Sequence, residues 1–403
     1  MRSTPSSPEY SLPWRVSRAT LGVLIGLVLA FFALEGAFRF LLFSDTEFAE
    51  RQGARLRNPH LFADHDSDSD YFKLKQIWSG GNPSKKFVRR NPKLGWLPEL
   101  VKMPGYGHVA GDRGGERRPF LFYGDSFVAC VTPKRDCWQG LLANTPFGEE
   151  LFTLNYGCSA YGLDQINLLF EESIDQWLPQ KPIVAIGILV DNDLDRTVFD
   201  YRGCPKPLYR FEDGELAVDY PGGTDYEKWL EENPPSISSY VVRYLSHARS
   251  VLPASFAPPR SNDPPVVERK KKLSAAILES LQHELESREL DYFFVLFYGP
   301  RTWEFKRPTG WREKFTVNTL DALGIPWVSS RRAMQESAKR FESETGELAS
   351  ERYFVQHGVN FEGHFTREGN LAALPAIMRG LTGQYDGLVK TRATNIATPL
   401  PLE

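Results

Sequence analysis

The 403-residue chain lacks several things that would narrow its chemistry at once. It has no CxxC pair, and its cysteines and histidines show no spacing suited to zinc. Only four cysteines occur, Cys130, Cys137, Cys158 and Cys204. In an oxidising compartment they allow three pairings, and spacing does not choose among them. There is no excess of positive charge: the formal net charge is −3. No Lys/Arg stripe with interleaved aromatics runs along the chain, so there is no basic field for nucleic acid. No internal repeat is visible, and nothing in the residues requires a metal or an organic cofactor. What remains is an ordinary globular composition, 41% hydrophobic and 25% charged, long enough for one large or two modest domains.

Long apolar runs are absent except at the start. From Ala19 to Phe43 only Glu35 and Arg39 are charged, and the stretch holds fifteen Leu, Ile, Val and Phe residues. At about −0.3 to −0.6 kcal/mol each, these outweigh two charges costing about 3 kcal/mol apiece at mid-membrane. Glu35 and Arg39 are spaced i,i+4 and can pair, with Arg39 near enough to an end to snorkel. Arg2, Arg15 and Arg18 precede the span, and Asp45, Glu47 and Glu50 follow it. The positive-inside rule then places residues 1–18 in the cytoplasm, 19–43 across the membrane and the rest outside. A cleaved signal peptide is the alternative, although no small-x-small site closes the run.

Residues 44–118 read as an extended lead-in packing on the domain that follows. Within them Asp64, Asp66, Asp68 and Asp70 alternate. Tyr71 stands at the EF-hand glycine position and no acid closes the loop, so a solvated acidic loop is expected instead of a calcium site. Asn91-Pro-Lys-Leu-Gly-Trp96 reads as a turn followed by an extended piece.

Over 119–385 apolar runs alternate with amphipathic ones. Strands are expected at Phe120–Tyr123, Leu151–Asn155, Ile183–Val190, Tyr292–Phe297 and Ile325–Val328, and helices at 163–177, 265–288, 312–323, 331–346 and 367–381. This pattern predicts an α/β fold with a parallel sheet covered on both faces. Residues 253–265 read as a mobile surface loop and 386–403 as a frayed tail.

Chemistry gathers where expected strands end. Phe120-Leu-Phe-Tyr-Gly-Asp-Ser126 hands a serine to a helix start, where free N–H groups and the positive dipole end favour an anion. Taken alone, Ser126 reads more readily as a helix cap than as a nucleophile. Asn155-Tyr-Gly157-Cys-Ser-Ala160-Tyr-Gly162 turns through two glycines into a helix. Val190-Asp-Asn192-Asp193 closes the most apolar strand, and Asn360-Phe-Glu362-Gly-His364 precedes the last helix. A carboxylate two residues before a histidine can orient its imidazole toward a serine. His357 is the rival to His364 among seven histidines. Cys130 and Cys158 fall near two of these blocks, as a structural pair or as two buried thiols.

Together the four blocks resemble those of the SGNH (GDSL-like) hydrolases. More narrowly, Asn155-x-Gly157, Tyr161-Gly162-x-Asp164-Gln165, Asn192-Asp193 with Arg196, and Lys206-Pro207 are similar to a group of bacterial membrane-anchored SGNH proteins, relatives of polysaccharide O-acetyl esterases and acetyltransferases. The resemblance covers 115–210 well and 290–380 more loosely. It implies a flavodoxin-like three-layer α/β/α sandwich behind one N-terminal transmembrane helix. Carried over by position, Ser126 is the nucleophile, His364 the base and Glu362 the acid. Ser126 N–H, Ala160 N–H and the Asn192 side chain form the oxyanion hole, with Gly157 a further possible donor and Asp125 and Asp193 in support. The sequence departs from the common pattern at Ala160 and Val190, each in place of glycine, and at Phe361, where the commoner Asp-x-x-His acid would stand. Three functions follow. The first is an esterase removing acyl groups, acetyl foremost, from a carbohydrate or cell-envelope polymer. The second is an O-acyltransferase using the same residues, and the third a non-catalytic envelope protein keeping the fold. The implied location is the bacterial inner (cytoplasmic) membrane, single-pass, with the C-terminal domain facing the periplasm or exterior. Oligomeric state is not implied.

Overall fold

The computed structural model describes residues 12–79, 89–97, 117–223, 225–257, 260–304, 310–356 and 363–387, with backbone alone at 12–19 and 254. It divides into two compact units: Met1–His65, Asp70–Gly81 and Pro235–Pro258 in one, Asp66–Ser69, Asn82–Pro234 and Pro259–Glu403 in the other.

The larger unit is built on five parallel strands, β1 (Arg118–Gly124), β2 (Leu151–Gly157), β3 (Ile183–Leu189), β4 (Asp291–Phe297) and β5 (Trp327–Ser329). Their spatial order is β2-β1-β3-β4-β5. That is the flavodoxin-like doubly wound order, with its switch point between β1 and β3. All seven residues of β3 are buried, so its sequence is continuously apolar instead of alternating. Helices Leu163–Ser173, Pro264–Ser287, Trp311–Leu323, Ser330–Thr345 and Arg367–Leu381 follow or connect the strands. These elements coincide with the expected ones to within a few residues. An antiparallel hairpin, Leu208–Glu212 with Glu215–Asp219, was not legible beforehand.

The smaller unit contains the apolar helix Leu12–Phe43, which carries one stretch, Thr20–Phe43, long and apolar enough to cross a membrane. A span and a signal sequence share that property. Leu42, Phe62, Leu74, Ile237 and Tyr240 form the core of this unit. Residues 235–258, expected within the 119–385 domain, group instead with the apolar helix and with 44–65 and 70–81. Arg39 is held within this unit: its Nε donates to Glu35 at 2.7 Å, its Nη2 to the Ser238 carbonyl at 2.9 Å, and its guanidinium lies over the Tyr240 ring.

Three further expectations change. Asp70 does not belong to a solvated loop; it is buried on helix Ser69–Trp78 and accepts from the Ser236 N–H and hydroxyl. Within 253–265, residues 254–256 form a short helical turn and Ser261 is buried, accepting from Lys270 Nζ at 2.8 Å. Pro264 and Pro265 open a helix, where a missing N–H costs nothing. Of the expected tail, Asp386 is tied to the β5 edge, accepting from Ser329 N–H at 2.8 Å; residues 388–403 lie outside the described residues.

Candidate active site

β1 ends at Gly124, and Asp125 caps the short helix Ser126–Ala129, its Oδ1 accepting from Phe127 N–H at 2.8 Å. Ser126 therefore sits on the first turn, with its own N–H among the helix-start donors that have no intrahelical acceptor. Close approach of the next rim turn requires Gly157, because a Cβ there would stand 2.0 Å from the Ala129 nitrogen. Asn155 fastens the same turns together, donating to Val128 O at 2.8 Å and to Gln139 Oε1 at 2.6 Å.

His364 lies 238 residues further on, yet its Nε2 stands 2.8 Å from Ser126 Oγ. Its backbone is set by pairing with the preceding segment: His364 O accepts from Val355 N–H, and Phe365 bridges to Phe354. Thr366 then caps the last helix through Gly369 N–H. The Phe127 ring packs 5.4 Å from the imidazole, centroid to centroid. For the serine O–H to donate to Nε2, the ring must carry its proton on Nδ1. Glu362 and the rival His357 lie outside the described residues.

Three donors on the turns of this rim have no acceptor among the described residues. Ser126 N–H is one. Ala160 N–H, on the turn after β2, is the second; Ala160 is held at φ 69°, a left-handed conformation that glycine adopts freely. The side-chain amide of Asn192, on the turn after β3, is the third; the residue's backbone is tied to Leu189 O, and its buried Oδ1, an acceptor, also has no partner. Gly157 is not a donor to the site, because its N–H already bonds Asn155 Oδ1 at 2.8 Å.

The three turns are locked by buried charge. Arg196 Nη1 donates to Asp193 Oδ1 at 2.7 Å and to Tyr161 O at 2.5 Å. Asp193 Oδ2 accepts from Leu189 N–H at 2.7 Å. Burial, reinforced by the charge of Asp125, pushes the Asp193 carboxyl well above the ordinary range, against the pull of Arg196. Beneath them Lys206 pairs with Asp164, neither side chain exposed, and donates to Arg196 O at 2.8 Å. Burial pushes Asp164 up and Lys206 down, each against the attraction of the other.

Cys130 and Cys158, expected as a structural pair or as two buried thiols, are neither. Cys130 is disulfide-bonded to Cys137, while Cys158 and Cys204 are buried free thiols. Burial raises both thiols, which leaves them as inert apolar groups at neutral pH. Trp96, expected in an extended piece, donates its indole N–H to Ser159 O at 3.1 Å on the turn after β2. Only its neighbourhood to a turn signal hinted at a role.

No family model matches the chain, and no curated protein matches it in sequence. Among solved structures it is similar to Axe2, an acetylxylan esterase from Geobacillus stearothermophilus, at 14% identity over 68% of this chain and 97% of that one, with a TM-score of 0.35. A variant of Axe2, described as an acetyl-xylooligosaccharide esterase, matches at 14% identity over 65% and 93%, TM-score 0.35. A protein of the G-D-S-L family from Desulfitobacterium hafniense, described as lipolytic, matches at 12% identity over 66% and 100%, TM-score 0.34.

Proposed function

We propose that this chain is a serine esterase of SGNH type that removes acyl groups, acetyl foremost, from a carbohydrate or cell-envelope polymer. The observation that carries the reading is the 2.8 Å approach of His364 Nε2 to Ser126 Oγ at the carboxyl ends of the strands, beside donors that have no other acceptor. Ser126 Oγ attacks the ester carbonyl carbon as its proton passes to Nε2. The oxyanion is held by the N–H groups of Ser126 and Ala160 and by the Asn192 amide. The imidazolium returns the proton to the leaving sugar oxygen, and the C–O bond breaks. Water, deprotonated by the same nitrogen, then clears the acyl-serine. Glu362 is assigned the acid that steadies Nδ1.

We further propose that the apolar N-terminal helix anchors the chain in a bacterial cytoplasmic membrane, with the hydrolase domain on the outer side. The Cys130–Cys137 bond supports that side, since disulfides persist in oxidising compartments.

The test uses the full chain in detergent, a fluorophosphonate probe and p-nitrophenyl acetate. Wild type should label and release acetate. Ser126→Ala should do neither, and His364→Ala should lose at least about 10³ in kcat. Glu362→Gln should lose less. A folded wild type that neither labels nor hydrolyses would overturn the reading. Acetylation of an added oligosaccharide in place of acetate release would reassign the same residues to acyl transfer.

A further inference from the structure

We infer that Trp96 is a positioning residue for the oxyanion site; the inference rests on the esterase reading above. Its indole N–H donates to the Ser159 carbonyl at 3.1 Å. That carbonyl and the N–H of Ala160 belong to one planar peptide unit, which is trans and therefore points them in opposite directions. Fixing the oxygen fixes the aim of the N–H. A donor on the oxygen also polarises the amide, so the N–H on the far side becomes a better donor to a developing oxyanion.

The turn needs such a clamp. Ala160 at φ 69° occupies a conformation that costs a non-glycine residue, and it persists only when its surroundings over-determine it. The surroundings here are the segment around Trp96. The Trp96 ring is buried edge-on to Tyr161 at 5.5 Å, and the Tyr161 hydroxyl donates back to the Trp96 carbonyl. Gln165 Nε2 holds the Leu94 carbonyl at 2.8 Å, and the Asn91 side chain accepts from Lys93 and Leu94 N–H.

Two replacements separate aim from packing. Trp96→Phe removes the N–H and keeps most of the ring. Site-specific β-(3-benzothienyl)alanine keeps the bicyclic shape and puts sulfur in place of the N–H. Both should lower kcat on p-nitrophenyl acetate about tenfold with KM within about twofold, the signature of an interaction made in the transition state. The preference for an oxygen ester over its thiono analogue should shrink with it. Asn192→Ala, which removes a donor outright, should cost about 10²–10³. If the benzothienyl protein keeps the wild-type kcat while Asn192→Ala loses it, the inference fails and the esterase reading stands. If the wild type itself neither labels nor turns over, the esterase reading is what fails. Should Trp96→Phe not fold, the benzothienyl protein decides alone.

Discussion

Arg196 Nη1 lies 3.2 Å from Asp125 Oδ2, joining the nucleophile turn to the turn after β3 across 71 residues of chain. The same nitrogen serves Asp193, so one guanidinium bridges two buried carboxylates, with the buried Arg202 close enough to act on both. The Asp193 carboxyl titrates above its ordinary value of 3.8, and the folded state therefore holds a proton that the unfolded chain has released. The stability of the protein should fall as pH rises from about that value through the raised one. Denaturant midpoints measured upward from pH 4 should show that decline, and Asp193→Asn should make it shallower, with the raised carboxyls of Asp164, Asp191 and Asp195 supplying the remainder. Arg196→Met removes the cation bonded to both carboxylates and should cost about 3–5 kcal/mol at pH 8, less at pH 5. A decline of equal slope in Asp193→Asn would remove Asp193 from the account.

Ala160 carries a different signature. A left-handed alanine costs about 1–2 kcal/mol, and glycine returns about 0.4–1 kcal/mol of that as extra freedom in the unfolded chain. Ala160→Gly should thus gain about 0.5 kcal/mol, with kcat held. Ala160→Val, β-branched at φ 69°, should lose stability and kcat together. Thermal unfolding and p-nitrophenyl acetate kinetics on the pair check this; equal behaviour of glycine and valine would mean the turn is not strained.

The parts of the fold visible in the sequence are those whose signal is local. Ile183–Leu189 is buried on both faces and is therefore one apolar run, and each neighbouring strand repeats the pattern. Ser126 and His364 were legible for the same reason: each sits on a turn whose few residues announce it. What escaped was decided by pairing between distant segments. Nothing near Trp96 says that its indole reaches Ser159, 63 residues away. Asn155-x-Gly157 looked like an amide offered to a ligand, yet Asn155 Oδ1 consumes the Gly157 N–H and the glycine is there for close approach. Asp70 looked solvated because its neighbours are acidic, whereas Ser236, 166 residues on, buries it.

The disulfide ties the serine's helix to the histidine's. Asn370, on the helix that follows His364, donates to Cys130 Sγ at 3.3 Å, Thr132 Oγ1 at 3.3 Å and Asp136 O at 3.1 Å, all within the loop the Cys130–Cys137 bond closes. Loop-closure entropy for so short a loop gives about 2.5 kcal/mol. Cys130→Ser/Cys137→Ser should lower the unfolding free energy by that order and reduce kcat through a looser His364. Alkylation of the unfolded, unreduced protein should modify two thiols, Cys158 and Cys204, and four after reduction. Four before reduction would dissolve the tie.

Glu35 is the acid on the apolar helix, and besides Arg39 its partners lie 204 to 206 residues later. Its carboxylate accepts from Ser239 Oγ at 2.8 Å and from the N–H groups of Tyr240 and Val241, each at 3.1 Å. It thereby caps the helix Tyr240–His247 from outside, where a negative charge also meets the positive end of the dipole. Glu35→Ala leaves those N–H groups without an acceptor, a loss of about 1–3 kcal/mol. Glu35→Gln keeps one acceptor oxygen without charge and should fall between. Hydrogen exchange over 239–247 should quicken in the order wild type, glutamine, alanine, with exchange in β3 unchanged. If alanine protects that helix as well as glutamate does, the charge on the apolar helix has some purpose other than holding residues 235–258.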